Sequence, residues 1–444
     1  MVRATTGGVL KTYRYNLMRS FITANKARDT VTTQRNFNSY AEDPASAAKA
    51  FRLRMSRLTT QSQYDICQNT YFKFQSGFQS LQTVDQLIDT ENGGTQLQTL
   101  KSTTLKMLND PTGDARTQLS KVLDVMSETL VQMMNQKYGD DFIFAGADGH
   151  NVPFEVKQAD GRNQLFYRGI PVDAAVPEVF GNASGPIEVD ENGKIGGTGG
   201  YYLKTENTSI ISKDTYDNDT AAFPNILRGA GGTPQEVGAD GTPGTGYYIV
   251  INGDPKEQVI SKEDYATAEK NVEKLEYLAN EKRFIDIGLG FQENENGQLI
   301  ESSAFNESLN GLTFLGYGLD EEGDPKNIYS IVQRLSEIAG SVSDDEDWSQ
   351  ETYDEFYRLV GKLEDASSEF KTQFANMDAG TLKLKNNLDL LKENFYNLDE
   401  QTANLEDAEP VEAIENFLWA EYAYNAALKV GNSILSQSLM DYLT

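Results

Sequence analysis

One cysteine and one histidine in 444 residues are the two scarcities that exclude most chemistry from this chain. Cys67 has no second cysteine to pair with, and its neighbours Ile66, Tyr71 and Phe74 mark it as a buried small apolar residue rather than a reactive thiol. His150 stands alone in the turn-like run Ala147-Asp148-Gly149-His150-Asn151, which leaves no material for a His-rich metal centre or a His-Glu-x-x-His helix. A catalytic triad would have to rest on that one turn residue. Positive charge is also short. Against 67 Asp and Glu stand 39 Lys and Arg, and a formal charge of −28 argues against nucleic acid and anionic membrane surfaces as partners. No stretch approaches the roughly 18 to 20 apolar residues of a membrane span. The first thirty residues lack an apolar core followed by a small-residue cleavage site, so the expectation is cytoplasmic residence or export without a cleaved signal.

The remaining ligand motifs are incomplete. Asp217-Asn218-Asp219 lacks the glycine and closing glutamate of a calcium loop. Gly196-Gly197-Thr198-Gly199-Gly200 and Gly229-Ala230-Gly231-Gly232 are not followed by the Lys-Ser/Thr of a phosphate loop. In so acidic a chain, any two carboxylates are read as surface residues. No enzyme activity, cofactor or metal site is therefore expected.

Amphipathic helix is what the sequence does contain. From Glu412 to Leu443, Ile414, Phe417, Tyr424, Leu428, Leu435, Leu439 and Tyr442 recur at steps of three, four or seven, with the stripe weakening at Glu421 and Gly431. Its most apolar turn comes last, and an isolated helix gains little stability from propensity alone, so this one is expected to meet a partner surface. Residues 9 to 35 answer it with Leu10, Tyr13, Leu17, Phe21, Ala24 and Val31 in the same rhythm. The two could pair with each other or rest on a globular body.

Inside these lie longer rods. Asp43-Pro44 is a helix start, an N-cap side chain before a residue whose missing N–H is harmless in the first turn. Ala47, Phe51, Met55, Leu58, Cys67, Tyr71, Phe74, Phe78, Leu81 and Ile88 then keep helical spacing until Asn92-Gly93-Gly94. Further helical patterns cover Leu97 to Leu108, ending at Asp110-Pro111, and Leu119 to Met133, breaking at Tyr138-Gly139. After Pro325, Ile328 to Ile338 forms one helix, and Phe356 to Leu398 a longer one that Pro410 separates from the last. The middle differs. Asp141 to Gly146 and Gln164 to Gly169 have strand character, Tyr247 to Asp254 reads as a hairpin turning at Asn252-Gly253, and a short helix lies near Lys262 to Asn280. The acidic run Asp344 to Asp347 reads as a solvated stretch before a helix. The expected class is α+β, with long antiparallel rods flanking a β-rich centre. Expected boundaries are 1–42 and 409–444 for the outer coiled-coil helices, 43–140 and 326–408 for the rods, and 141–325 for the central domain.

Two motifs at opposite ends then carry a resemblance. Arg35-Asn36-Phe37-Asn38-Ser39-Tyr40-Ala41-Glu42-Asp43-Pro44-Ala45-Ser46-Ala47-Ala48 resembles the turn and helix start of the bacterial flagellin family. Ala423-Tyr424-Asn425-Ala426-Ala427-Leu428-Lys429-Val430-Gly431, followed by Ile434-Leu435 and Ser438-Leu439-Met440-Asp441-Tyr442-Leu443, is similar to that family's carboxyl end. Asn135 to Gly146, closing at Val152-Pro153-Phe154, looks like the family branch that sits between hook and filament, as do Ile285 to Gly290 and Gly311 to Gly318. The resemblance covers roughly 9–155 and 285–443. One departure is the turn at 35–40, which lacks the family's glycine, so that Asn36 or Asn38 is expected to supply any left-handed residue.

The resemblance implies a structural subunit of the bacterial flagellum joining hook to filament, exported unfolded by the type III route and residing outside the cell. The alternatives are a filament flagellin or a secreted binding protein whose central domain does the work. It implies further copies of the chain in a helical or ring lattice, a neighbouring hook-associated protein and flagellin as partners, and an export chaperone on the carboxy-terminal helix. Leu10, Leu17, Phe21, Leu428, Ile434, Leu435, Leu439, Tyr442 and Leu443 are the expected subunit-interface residues.

Overall fold

A computed structural model describes residues 6–88, 114–159, 161–182, 185–195, 199–206, 208–229, 232–239, 241, 244–341 and 349–443. The expected stop at Asn92-Gly93-Gly94, the helix Leu97 to Leu108 with Asp110-Pro111, parts of both glycine runs and the acidic run Asp344 to Asp347 lie outside the described residues. The fold is α+β, with long helices and, among the described residues, a set of small antiparallel sheets of two or three strands. No described helix is long and apolar enough to cross a membrane. The chain divides into two compact units: one of Met1–Thr70, Asp286–Ala304 and Lys383–Thr444, the other of Tyr71–Ile285 and Phe305–Leu382.

The first unit holds the amino-terminal helix Thr6–Thr33 and the carboxy-terminal helix Pro410–Leu443. It also holds residues 44–70 of the long helix Pro44–Ile88 and residues 383–406 of the long helix Gln350–Glu406. The two long helices run antiparallel here. The Cys67 thiol lies 3.5 Å from the Leu384 carbonyl oxygen, and Arg57 and Arg54 pair with Asp399 and Glu406. Cys67 is fully buried, and burial pushes its thiol pKa up, as the sequence suggested for an inert position.

In the second unit the same antiparallel relation is written in aromatic and apolar contacts. Phe78 stacks on Phe374 at 4.8 Å between ring centroids, and the Ser367 hydroxyl donates to the Ile88 carbonyl at 3.1 Å. The helices Asp114–Met134 and Ile328–Gly340 lie side by side, burying Leu119, Leu123, Met126, Leu130, Ile331, Val332 and Leu335. Asn327 starts the latter helix by accepting from the backbone amides of Tyr329 and Ser330. Phe356, Leu359, Leu363 and Phe370 close this core with no exposed surface. Gly311 is required at its edge, because a Cβ there would overlap the Phe154 ring.

Two local expectations of strand structure are corrected. Asn252-Gly253 does not close a two-residue hairpin: Tyr247–Ile251 pairs with Thr208–Ser212, Ile249 opposite Ile210, and Gly253 with φ +93° opens a longer loop. A turn in which Glu257 N–H donates to Asp254 C=O carries the chain on, so burial of Ile249 and Ile251 in a core with Val189, Leu203, Leu227 and Val237 outweighs the local turn signal. Asp141 to Gly146 is likewise no single strand. Asp141–Phe142 pairs with Lys137–Tyr138, whereas Ala145–Gly146 pairs with Leu309–Asn310, and the two residues between them are fully buried.

Candidate subunit interface

The amino- and carboxy-terminal helices pack against each other, and the pattern of burial shows how. On Thr6–Thr33 the half-buried positions include Leu10, Tyr13, Leu17, Ser20, Ala24, Ala27 and Val31, alternating steps of three and four. On Pro410–Leu443 the covered positions are Ala413, Phe417, Ala420, Tyr424, Ala427 and Gly431, with the same alternation. This is heptad spacing, which keeps one seam of each helix on its partner. Large side chains meet small ones. Tyr13 sits on Gly431 so closely that a Cβ at 431 would collide with its hydroxyl, and Phe21 reaches Tyr424 at 5.6 Å between rings. Gly431, which interrupts the apolar stripe, is thus the position that seats the Tyr13 ring rather than a weak point.

One partner covers only one side of a helix. Tyr15 is 68% exposed, Trp419 70% and Tyr422 71%, and Met18, Ile22, Leu418 and Val430 are also more than half exposed. Exposed large apolar side chains clustered on a helix pair make this a candidate contact site. Among the expected interface residues, Leu10 and Leu17 lie half-buried on the seam, while Phe21 and Leu428 remain exposed beside it. Ile434, Leu435, Leu439, Tyr442 and Leu443 fall in the last helical turns, and their side chains lie outside the described residues.

The turn joining Thr33 to Pro44 is held by backbone capping. The left-handed residue is Gln34, φ +55°, and not Asn36 or Asn38. Asn36 has another use: its side-chain amide donates to the carbonyls of Leu405 and Asp407, at 3.2 and 3.0 Å, where the helix Gln350–Glu406 ends with carbonyls unpaired. Ala408 N–H donates back to Gln34 C=O, and Asn36 N–H to Glu406 C=O. Asp43 caps the next helix as expected, accepting from the amides of Ala45 and Ser46 at 3.1 Å, and these bonds hold its carboxyl below the usual range.

The polar clusters elsewhere are internally neutralised. Asp320, Glu322 and Asp324 converge closely enough to suggest a metal, yet Lys362 bridges the first two at 2.6 and 2.9 Å and Arg358 grips the third. Burial pushes the Asp320 carboxyl up, but the Lys362 ammonium and two backbone amides outweigh it and hold the carboxyl below its ordinary range. His150 is exposed and rests 2.9 Å from Asp141. Asp173 is the exception. It lines a 790 Å³ cleft with Arg162 and Arg334, its one acceptor bond comes from the Ser330 hydroxyl at 2.6 Å, its other oxygen is buried without a partner, and burial raises its pKa to about 6.

No protein-family model and no curated protein matches the sequence. Solved structures similar to this chain include those of flagellar hook-associated proteins and of FlgL. One is from Vibrio parahaemolyticus, 10% identical, with a TM-score of 0.41 over 82% of this chain and 100% of that one. Another is hook-associated protein 3 from Legionella pneumophila, 13% identical, TM-score 0.32, over 78% and 98% of the two chains. A third is FlgL from Xanthomonas campestris, 10% identical, TM-score 0.33, over 80% and 99%. Identities this low put no individual residue of this chain in correspondence with one of theirs.

Proposed function

We propose that the protein is a structural subunit of the bacterial flagellum, joining hook to filament, that assembles through its terminal helices after type III export. The observation that carries this reading is the one-sided pairing of Thr6–Thr33 with Pro410–Leu443. Their heptad seam is satisfied within the chain, while Tyr15, Met18, Ile22, Leu418, Trp419 and Tyr422 remain exposed. The family-like motifs at 35–48 and 423–443 support it. In a hollow lattice each copy offers one face and receives another, so such contacts need not close. Each large apolar side chain buried between copies contributes roughly 1.5–3 kcal/mol before association costs, so a handful decides assembly. Before export the same helix requires cover, which a chaperone with an apolar groove would provide.

Immunogold labelling of intact flagella tests the location: a single band at the distal edge of the hook supports the reading, and decoration along the filament replaces it with a filament flagellin. Leu439→Asp tests the assembly, since it should leave the central sheets folded while abolishing incorporation. Normally filamented, motile cells carrying that substitution would sink the idea.

A further inference from the structure

The chain is acidic overall, but its first 57 residues are not. They carry eleven of its 39 Lys and Arg and only three of its 67 Asp and Glu. Part of this charge lines a 530 Å³ groove beside the turn before Pro44, built by Arg35, Phe37, Tyr40, Phe51, Arg52 and Arg54 with small residues between them. Arg54 is paired with Glu406, whereas Arg35 and Arg52 have no carboxylate partner among the described residues. Tyr40 and Phe51 are 64% and 63% exposed. The groove is therefore basic and aromatic, and none of the described residues of its own chain fills it.

The same unit carries a segment of the opposite character. Residues 286–304 include Asp286, Glu293, Glu295 and Glu301 and no Lys or Arg. Their tip is an ordered hairpin: Glu293 bridges Leu299, Gly297 N–H donates to Asn294 C=O, and Ile300 N–H donates to Gln292 C=O. Leu289, Phe291 and Ile300 are exposed on it. Its stem is fixed on the long helices, Gln63 donating to Asp286 at 2.9 Å and Asn387 to the Ile287 carbonyl. Gln63 lies eleven residues beyond Arg52, about 17 Å along the same helix.

The geometry points to a contact between copies, in which the acidic, apolar hairpin 286–304 of one chain docks into the basic, aromatic groove at 35–54 of another. This rests on the assembly reading and names one surface for it. Donor and receiver lie at different heights on one rod, so each copy can give and receive at once, and the contact propagates instead of closing. Its electrostatic part makes it salt-sensitive, unlike apolar contacts of the terminal helices.

Sedimentation velocity of the full chain at low salt tests the contact. Variants are Arg35→Glu with Arg52→Glu in the groove, and Glu293→Lys with Glu295→Lys on the hairpin. Each pair alone should raise the concentration needed for association at least about tenfold, because like charges then face each other. An equimolar mixture should restore association, since each altered groove then meets an altered hairpin of opposite sign and each native groove a native hairpin. That rescue also shows both variants to be folded. Wild-type-like association of either variant alone, or a mixture no better than its parts, overturns the contact while leaving assembly through the terminal helices intact. A wild-type chain that stays monomeric throughout overturns the assembly reading and the contact together.

Discussion

Phe370 and Trp419 both sit on long amphipathic helices, yet one has no exposed surface and the other is 70% exposed. Phe370 belongs to a closed core, with Phe314 and Phe374 at ring distances of 6.4 and 6.1 Å. Trp419 lies on one helix of the terminal pair, outside the seam that the two helices share. The apolar stripe is similar in kind; what differs is the number of surfaces available to cover it. A two-helix pair can bury a strip of about two positions in seven, and apolar side chains outside that strip stay exposed unless a further surface covers them.

The largest expected consequence is in hydrogen exchange. Amides of residues 356–377 should exchange only through unfolding of their unit, and slower by at least about a thousandfold than those of residues 10–31 and 413–431 in the dilute monomer. On assembly the second group should become protected as well. Equal protection of both groups in the monomer would erase the contrast and remove the reason to invoke a lattice.

Truncation should follow the same order. Phe370→Ala is expected to cost about 3–5 kcal/mol, because it empties a closed site that cannot collapse. Leu17→Ala on the half-buried seam should cost only about 1 kcal/mol in the monomer, since most of what its side chain touches is replaceable by water. Urea denaturation of the two variants measures both, and similar losses would mean that the terminal pair is as well packed as the body.

A titratable group sharpens the picture of the closed unit. Asp173 has its pKa raised to about 6 from an ordinary 3.8, with one oxygen buried and unpartnered. Between pH 4 and 6 the folded state then holds more protons than the unfolded one, so this group's contribution falls as pH rises and stays lost above pH 6. Asp173→Asn keeps an oxygen for the Ser330 hydroxyl and removes the charge. It should stabilise the protein by about 3 kcal/mol at pH 7 and by only about 0.5 kcal/mol at pH 4. A variant no more stable than the wild type at pH 7 would mean that water reaches that carboxylate.

Periodicity made the helices legible, and it also explains what was missed. Leu10, Tyr13, Leu17, Ala24 and Val31 stand out by apolarity, but the heptad is completed by Ser20 and Ala27, small residues that a search for large apolar side chains passes over. Phe21, four residues after Leu17 in the apolar rhythm, lies beside the seam and still meets Tyr424. The hairpin at 286–304 has no period, being built from a bridge and turns, and the groove at 35–54 joins a turn to the first turns of the helix Pro44–Ile88, so neither appears as an apolar stripe. Their visible trace is local charge, basic over the first 57 residues and acidic over 286–304, which a net value for the whole chain conceals. The turn at Gln34 was misplaced for a related reason. Asparagine tolerates left-handed backbone, but here Asn36 is engaged in capping Leu405 and Asp407, partners nearly 370 residues away that no local rule can supply.

The smallest expected effect is at Gly431, where two opposing terms nearly cancel. Replacing glycine by alanine inside a helix favours the helix by up to about 1 kcal/mol. The added Cβ would meet the Tyr13 hydroxyl and ring. Tyr13 is only half-buried, and the atoms a Cβ would meet are the far end of its side chain, so if the ring swings outward the monomer should change by less than about 1 kcal/mol in either direction. In an assembled lattice the displaced ring would have no such room, because the outward side is where the next copy is proposed to lie. Gly431→Ala should therefore leave monomer helicity and exchange unchanged while weakening incorporation into flagella. Loss of helicity in the monomer would show that the close approach is already rigid there, and unimpaired incorporation would show that the outer face at this level stays open to solvent.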